Sequence, residues 1–435
     1  MKGESVISAE GNWVPKSESE SVLRPIYRIL ENLSLLSILQ GLNIVAPLIT
    51  YPIAVRAVGI SLYGTYVYAL GISAILAIVF DLGITAFGSR EVARTFTSGD
   101  MDLARSTVAS LVKVRMASAV IGFVVCALWL HWSKFDFHLV AVLAFSTAGL
   151  QNAFLSNWYF QGRQTLRQIT LVTVVSRLLS VLAVVFFIRT KAHFDLLVLF
   201  MTIPPFLFAL VPFFMMVKEC SLNMRSVMTA PVLEILRTCI PFSVSGISAI
   251  VKDRIGVVLV ATTLRAQDAA VLDLASKVVE LVAGVFYNLT RALYPHFAAR
   301  PDAALFKKFF YGTLLVAVGI AGVLSLGKPF IVRMLTGDPS VIAQCPLGIL
   351  CWVLPFLAGS SLLGHIVLLC NRQDRHFMGN LVLSAAFYLA LLLGLYLAEW
   401  RSVVVVSLSY VAAIAFEFSH RVFLVYKLNL KAWIR

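Results

Sequence analysis

The residues best placed to do chemistry in this chain are charges set inside apolar stretches. Eight are basic: Lys113, Arg115, Arg177, Lys252, Arg254, Lys277, Arg291 and Arg421. Five are acidic: Asp81, Asp253, Asp273, Glu280 and Glu417. A charge at the centre of a lipid-facing helix costs at least about 2.5–3.5 kcal/mol, so each must face a protein interior, a wet cavity or the interface. Arg115 and Arg177 lie roughly 12 Å into their stretches at 1.5 Å per residue. Lys252 and Arg254 are near the middle of theirs. Lys113, Arg291 and Arg421 lie close enough to an end for snorkelling to be an equal alternative. An excess of buried cations calls for an anion, and arginine grips phosphate oxygens in bidentate, charge-assisted pairs. We therefore assign Arg115, Arg177, Lys252, Arg254, Lys277 and Arg291 as cavity cations for an anionic ligand. The competing assignment is that some pair with Asp253 or Glu280 and only hold helices together. Asp81, Asp253, Asp273 and Glu280 are candidates for ion coupling, because a carboxylate can change protonation as its surroundings alternate between wet and dry.

Those charges need spanning helices to carry them. The chain has 435 residues, 60% hydrophobic and 13% charged, with a mean hydropathy of +0.89. Soluble domains carry about 25% charged residues, so the composition marks a membrane protein. The first twenty residues hold no apolar run after a basic region, which argues against a cleaved signal peptide. A net charge of +14 invites a nucleic-acid reading. The basic residues sit in short connections and form no domain, so nucleic acid is not expected. The six cysteines show no Cys-x-x-Cys spacing and read as packing residues, and no metal site is expected.

A spanning helix needs about 20 apolar residues. Twelve segments qualify: 33–55, 62–85, 107–130, 138–161, 169–188, 196–217, 238–262, 271–293, 309–326, 346–369, 377–398 and 403–426. Residues 19–32 suit a short interfacial helix. With the amino terminus inside, the cytoplasmic segments hold twenty Lys and Arg and the outer ones eight. That asymmetry places both termini in the cytoplasm. The longest connection, 218–237, divides the chain into an amino-terminal lobe at 33–217 and a carboxyl-terminal lobe at 238–426. A cytoplasmic tail stands at each end, 1–32 and 427–435. Shifting the chain by 207 positions lays Gln40–Arg94 on Ile247–Pro301 without gaps, a faint sign of a parallel repeat of the kind transporters use. The eighth segment carries a polar stripe. At 100° per residue Asp273, Lys277, Glu280, Gly284, Asn288 and Arg291 fall within roughly 80°.

Catalytic signatures are missing. Gly322 to Lys328 has the spacing of a phosphate loop, but Pro329 stands where Ser or Thr should hold magnesium. No connection is long enough for an extramembrane catalytic domain. An enzyme is therefore not expected, nor any cofactor.

The stretch from Gln40 to Arg94 is the most specific part of the chain. It runs from a span bearing Pro47 and Pro52 through Arg56-x-x-Gly59, Tyr63-Gly64 and Asp81-x-Gly83 to Arg90-Glu91-x-Ala93-Arg94. Asn157-Trp158-Tyr159-Phe160-Gln161-Gly162 and Arg291-Ala292-Leu293-Tyr294-Pro295-His296 follow at lower specificity. In this order the motifs resemble those of the Wzx-type polysaccharide flippases, within the multidrug/oligosaccharidyl-lipid/polysaccharide exporter superfamily. The resemblance implies an all-α polytopic fold of about twelve helices, in two six-helix lobes around a central cavity. It implies alternating-access transport of an undecaprenyl-diphosphate-linked oligosaccharide across the bacterial inner membrane. A polysaccharide polymerase and a chain-length regulator are the implied partners. Asn152, Asn157, Trp158, Tyr159 and Gln161 become candidates for sugar contact, although aromatic residues at this depth equally pack at an interface. Two other functions compete. A multidrug or cation antiporter would favour buried acids, whereas bases outnumber acids here. A membrane-embedded polymerase or glycosyltransferase would need a larger extramembrane surface.

Overall fold

The computed structural model describes residues 5–7, 13–15, 41–42, 45–299, 302–430 and 433. The expected interfacial helix at 19–32 and the start of the first segment lie outside them. The described residues are almost wholly helical. The exception is an antiparallel pairing of Ser5–Ile7 with Trp13–Pro15.

The chain runs α1 (Val45–Val58), α2 (Ile60–Val79), α3 (Ile84–Thr97), α4 (Met101–His131), α5 (Leu139–Phe154), α6 (Asn157–Gly162), α7 (Arg167–Phe187) and α8 (Phe194–Glu219). A short α9 (Met224–Thr229) precedes α10 (Leu233–Thr263) and α11 (Ala266–Ala299). Then come α12 (Ala303–Leu326), α13 (Lys328–Thr336), α14 (Val341–Gln344), α15 (Leu347–Leu350), α16 (Val353–Leu362), α17 (Asp374–Leu397) and α18 (Val403–Lys427). Side-chain caps start several of them. Asp100 accepts from the amides of Asp102 and Leu103 at α4, Asp302 from Leu305 at α12, and Ser402 from Val405 at α18. Each satisfies amides that a helix start leaves without a partner.

Among the described residues, nine helical runs are long and apolar enough to cross a membrane. They coincide with nine of the twelve expected segments. The other three are α1, α10 and α11. Only 14 residues of α1 are described, as Val45–Val58. α10 and α11 are 31 and 34 residues long. α11 falls out of a hydropathy count because it carries Asp268, Asp273, Lys277, Glu280 and Arg291, and α10 because some of its side chains lie outside the described set. The count of twelve thus becomes nine among the described residues, by length and composition.

Three expected segments differ in detail. The second, 62–85, is broken at Phe80–Gly83 before α3, because Leu82 and Gly83 take the left-handed conformation at φ 51° and 74°. The fourth, 138–161, is interrupted between α5 and α6. The tenth, 346–369, is a composite of α15, α16 and a π-helical turn over Leu363–Leu369.

The helices pack as α4 on α5, α5 and α7 on α8, α17 on α18, α12 and α18 on α16, and α10 on α17. α2 crosses both α10 and α11. Glycine makes this crossing possible. A Cβ on Gly64 would lie 1.8 Å from the Ala266 carbonyl oxygen, and one on Gly71 would lie 2.9 Å from Val258. Gly83 is held as closely: a Cβ there would meet the Ser243 amide at 2.6 Å and the Cys239 carbonyl at 2.7 Å. The Tyr-Gly and Asp-x-Gly motifs are therefore contact points between the first quarter of the chain and α10–α11.

Candidate functional site

The break after α2 positions the first charged centre. Asp81 sits in the turn, where its carboxylate accepts from the Thr85 amide at 3.2 Å and the Thr85 hydroxyl at 2.7 Å. Arg115, on α4, pairs with it at 3.0 Å. Arg115 Nη2 also donates to the Thr85 hydroxyl, and its Nε donates to the Asn152 carbonyl. The Asn152 amide in turn donates to the Ala77 carbonyl at the end of α2. Arg115 is 2% exposed. Two expected site residues are thus locked together, with Asn152, around the broken helix end.

The aromatic motif on α6 is also closed. Trp158, Tyr159 and Phe160 are buried. Gly88 of α3 abuts the Trp158 ring, and Gly162 abuts Ser89 and Val92. Tyr159 donates to Glu219 at 2.7 Å and accepts from Arg163 at 3.0 Å. Trp158 and Tyr159 pack α6 onto α3. Asn157 is exposed, and Gln161 lines a 480 Å³ cleft with Asp81, Thr85 and Ser243.

The second charged centre lies among α10, α17 and α18. Lys252 donates to Glu417 Oε2 and, at 2.8 Å, to the Ser384 hydroxyl. Arg421 pairs with Glu417 Oε1 at 2.9 Å, one turn along α18. Ser360 donates to the same oxygen at 2.8 Å, and Asn380 accepts from Arg421 Nε at 2.7 Å. Lys252, Glu417 and Arg421 are all buried. Arg421 does not snorkel. Its guanidinium stacks over Phe377 at 4.9 Å, and a Cβ on Gly364 would collide with it. Ser360, Ser384 and Asn380 were not expected. A lone serine or asparagine in an apolar span gives no signal of its partner.

The third centre joins α10 and α11. Arg254 donates to Asp273 at 3.3 Å and approaches Glu280 at 3.9 Å, and Lys277 donates to Glu280 at 3.1 Å. Asp273 is buried under Tyr51 and Tyr63, which meet edge-on at 4.6 Å beside the Tyr51–Ala270 hydrogen bond.

These three centres engage five of the eight cations and four of the five acids. Among the described residues Arg177, Arg291 and Asp253 have no ion-pair partner, while Lys113 caps α9 by donating to the Met228 and Ala230 carbonyls. Arg177 is half-buried on α7. Asp253 and Arg291 face open space. They line one cavity of 390 Å³ with Lys252, Glu280, Tyr287 and Tyr410. A second space of 280 Å³ adjoins it and shares Lys252, Asp253, Tyr287 and Tyr410, reaching Glu417 and Arg421. The cavity face of α11 runs through Ser276, Glu280, Ala283, Gly284, Tyr287 and Arg291. It shares Glu280, Gly284 and Arg291 with the expected stripe. Asp273 and Lys277 turn toward Arg254 and Glu280, and Asn288 is not among the lining residues. Tyr287 was missed, although it lies seven residues beyond Glu280 on the same helical face. Among the described residues no three His, Cys, Asp or Glu side chains are placed to hold a metal ion.

Long helices with buried charge networks around a cavity define a polytopic membrane protein, and solved transporters share the fold. An inward-facing multidrug resistance MATE family transporter of the MOP superfamily matches with a TM-score of 0.65 at 12% identity, over 88% of this chain and 96% of that one. The lipid II flippase MurJ, in an inward closed conformation, also matches at 0.65, with 13% identity over 93% and 90%. The sequence places the chain further. A family model described as "Polysaccharide biosynthesis protein" matches residues 29–300, and the chain belongs to that family. A relative from Escherichia coli (strain K12), named "Putative O-antigen transporter", is 22% identical over 378 residues, 83% of this chain and 88% of that protein. The resemblance to Wzx-type polysaccharide flippases is borne out. The protein is a multi-pass membrane protein of the transporter class, not an enzyme.

Proposed function

We propose that this protein flips an undecaprenyl-diphosphate-linked oligosaccharide, an O-antigen or exopolysaccharide repeat unit, across the bacterial inner membrane. The observation that carries the proposal is the cavity on α11 with Asp253 and Arg291 in its wall, set inside a fold shared with a lipid II flippase. A membrane-buried space bearing an unpaired Arg291 and Asp253 suits a hydrated headgroup, whose isoprenoid tail can stay in lipid while the headgroup crosses. The family match supports the polysaccharide substrate class over a multidrug one.

In this proposal residues 33–217 and 238–426 are the two lobes, 218–237 links them, and both tails, 1–32 and 427–435, lie in the cytoplasm. With that orientation the outer ends of the lobes are closed. Arg56 donates to the Met334 carbonyl at 2.7 Å, Lys134 to the Thr262 and Leu264 carbonyls, and Gly64 lies flush on Ala266. Each cation sits at a helix carboxyl end, where a positive charge is favourable. Alternating access then requires these contacts to open. An ion gradient drives the cycle, with a proton the favoured ion and Asp253 the favoured carrier, since the other acids are held in pairs. Product passes to a polysaccharide polymerase and its chain-length regulator.

The test is lipid extraction from a strain lacking the protein. Diphosphate-linked oligosaccharide should accumulate on the cytoplasmic leaflet. An unchanged pool of lipid intermediates rejects the proposal.

A further inference from the structure

We infer that the α11 cavity is the subsite for an uncharged sugar of the substrate, and that it discriminates against acidic sugars and against the diphosphate. This rests on the proposed transport of a lipid-linked glycan and adds which part of it the cavity takes.

The charge inventory decides the matter. By sequence the membrane interior is strongly basic, and a diphosphate is the natural counter-ion. In the folded chain the two adjoining spaces are lined by three cations, Lys252, Arg291 and Arg421, and by three carboxylates, Asp253, Glu280 and Glu417. Glu417 already serves both Lys252 and Arg421, and Glu280 serves Lys277. One cation, Arg291, is left without an acidic partner among the described residues, and one acid, Asp253, shares the cavity with it. Of the groups left unpaired, the wall therefore offers one positive charge, Arg291, and one negative, Asp253. A diphosphate entering it would bring at least two negative charges to a single free guanidinium in the presence of a free carboxylate, and the uncompensated charge would be held away from water.

A neutral sugar faces no such cost. Its hydroxyls donate to Asp253 and accept from Arg291, so both unpaired groups gain charge-assisted hydrogen bonds without a net charge being buried. The rest of the wall suits a ring with one polar edge and one apolar face. Tyr287, Tyr388 and Tyr410 line the cavity together, with Tyr388 and Tyr410 edge-on at 5.9 Å. Phenols offer an apolar face and a hydroxyl handle. Ser276 and Ser407 add short donors. A uronic acid would place its carboxylate against Asp253 or Glu280, a like-charge contact that rejects it.

The test is thiol protection in the full-length protein reconstituted in nanodiscs. Five of the six native cysteines are buried. With Cys370→Ser as background, Ser276→Cys puts one reactive thiol on the cavity wall. The probes are methyl glucoside, methyl glucuronide and inorganic pyrophosphate, scored by slowing of a water-soluble maleimide. The expected result is protection by the glucoside at a concentration about tenfold below that needed for the glucuronide, the ratio of a 1.4 kcal/mol preference. Pyrophosphate should not protect. Adding Asp253→Asn leaves Arg291 as the unpaired charge of the wall, and the glucuronide should then protect as well as the glucoside. Protection by pyrophosphate, equal protection by the two glycosides, no protection by either, or an unchanged preference in Asp253→Asn would overturn the inference. None of these results touches the flippase proposal, which stands or falls on the lipid intermediates of the deletion strain.

Discussion

The charged centre around Asp81 and the one around Asp253 look alike in the sequence and differ in the fold. Each is a carboxylate in an apolar stretch with arginine candidates at helical depth. Asp81 is enclosed. Arg115, Thr85 and Asn152 surround it, and the group ties a broken helix end to α4 and α5. Asp253 is open. Its neighbours in sequence, Lys252 and Arg254, turn away to Glu417 and to Asp273, and leave it facing a cavity with Arg291. The carboxylate thus has an ion-pair partner in the first centre and, among the described residues, none in the second. An intramembrane charge is a structural strut where its partner lies across a helix interface, and is left open to a ligand where it faces a cavity and no partner reaches it. An excess of bases in the sequence is not a count of free cations.

The largest effect that would break this comparison is at Arg115. Removing one member of a buried pair leaves the other uncompensated, at about 3–5 kcal/mol. Arg115→Met should therefore unfold at markedly lower temperature in detergent and be depleted from the membrane. Arg115→Met with Asp81→Asn should recover much of the loss, because no lone charge remains. Thermal unfolding followed by size-exclusion chromatography measures both. A stable Arg115→Met protein that fails to export polysaccharide would instead make Arg115 a substrate residue, as its depth in the sequence first suggested.

Arg291 should behave in the opposite way. It is exposed to the cavity, and among the described residues it has no ion-pair partner. Arg291→Ala should leave the unfolding temperature nearly unchanged. Hydrogen bonds to a charged group contribute about 1.5–3 kcal/mol, so export of surface polysaccharide should fall by roughly one to two orders of magnitude. Arg291→Lys should retain part of the activity, since it keeps the charge and loses the fork. Polysaccharide yield per unit of membrane protein is the readout. A fall in thermal stability matching that of Arg115→Met would erase the distinction between the two centres.

Much of the fold was legible because hydropathy and charge act locally. Nine of the twelve segments coincide with helices that can span, and the Asp-x-Gly and Tyr-Gly motifs mark real backbone contacts. The partners were not legible. Glu417 lies 165 residues from Lys252, and Asn380 lies 41 from Arg421. Nothing in spacing announces such distant pairs. The stripe on α11 was found at the right helix and in part at the right angle, because the 3.6-residue period is intrinsic to the helix. Asp273 and Lys277 were drawn off it by Arg254 and Glu280, which only the approach of α10 reveals. Trp158 and Tyr159 read as sugar contacts by type, yet the close approach of α3 at Gly88 and Gly162 encloses them.

The smallest effect concerns an ion pair of the exposed kind, against which the buried ones can be scaled. His138 immediately precedes α5 and the apolar run Leu139–Gly162, and its Nδ1 lies 2.7 Å from Asp195 Oδ2 in the first turn of α8. The hydrogen bond to Asp195, and then the charge of that carboxylate, raise the His138 pKa above its ordinary value of 6.5. A raised value means that the folded protein holds the proton more tightly than the unfolded chain. The stabilisation is therefore fully present below about pH 6.5 and is lost as pH rises through the higher folded value. His138→Ala should lower the unfolding temperature slightly at pH 6, and the difference from the parent protein should vanish at alkaline pH. Raising the salt concentration should shrink the difference at pH 6, because exposed pairs are screened. The same titration of Arg115→Met should show a loss that salt does not remove. A His138→Ala deficit that persists at alkaline pH, or that ignores salt, would show that the ring packs α5 against α8 and that its charge contributes little.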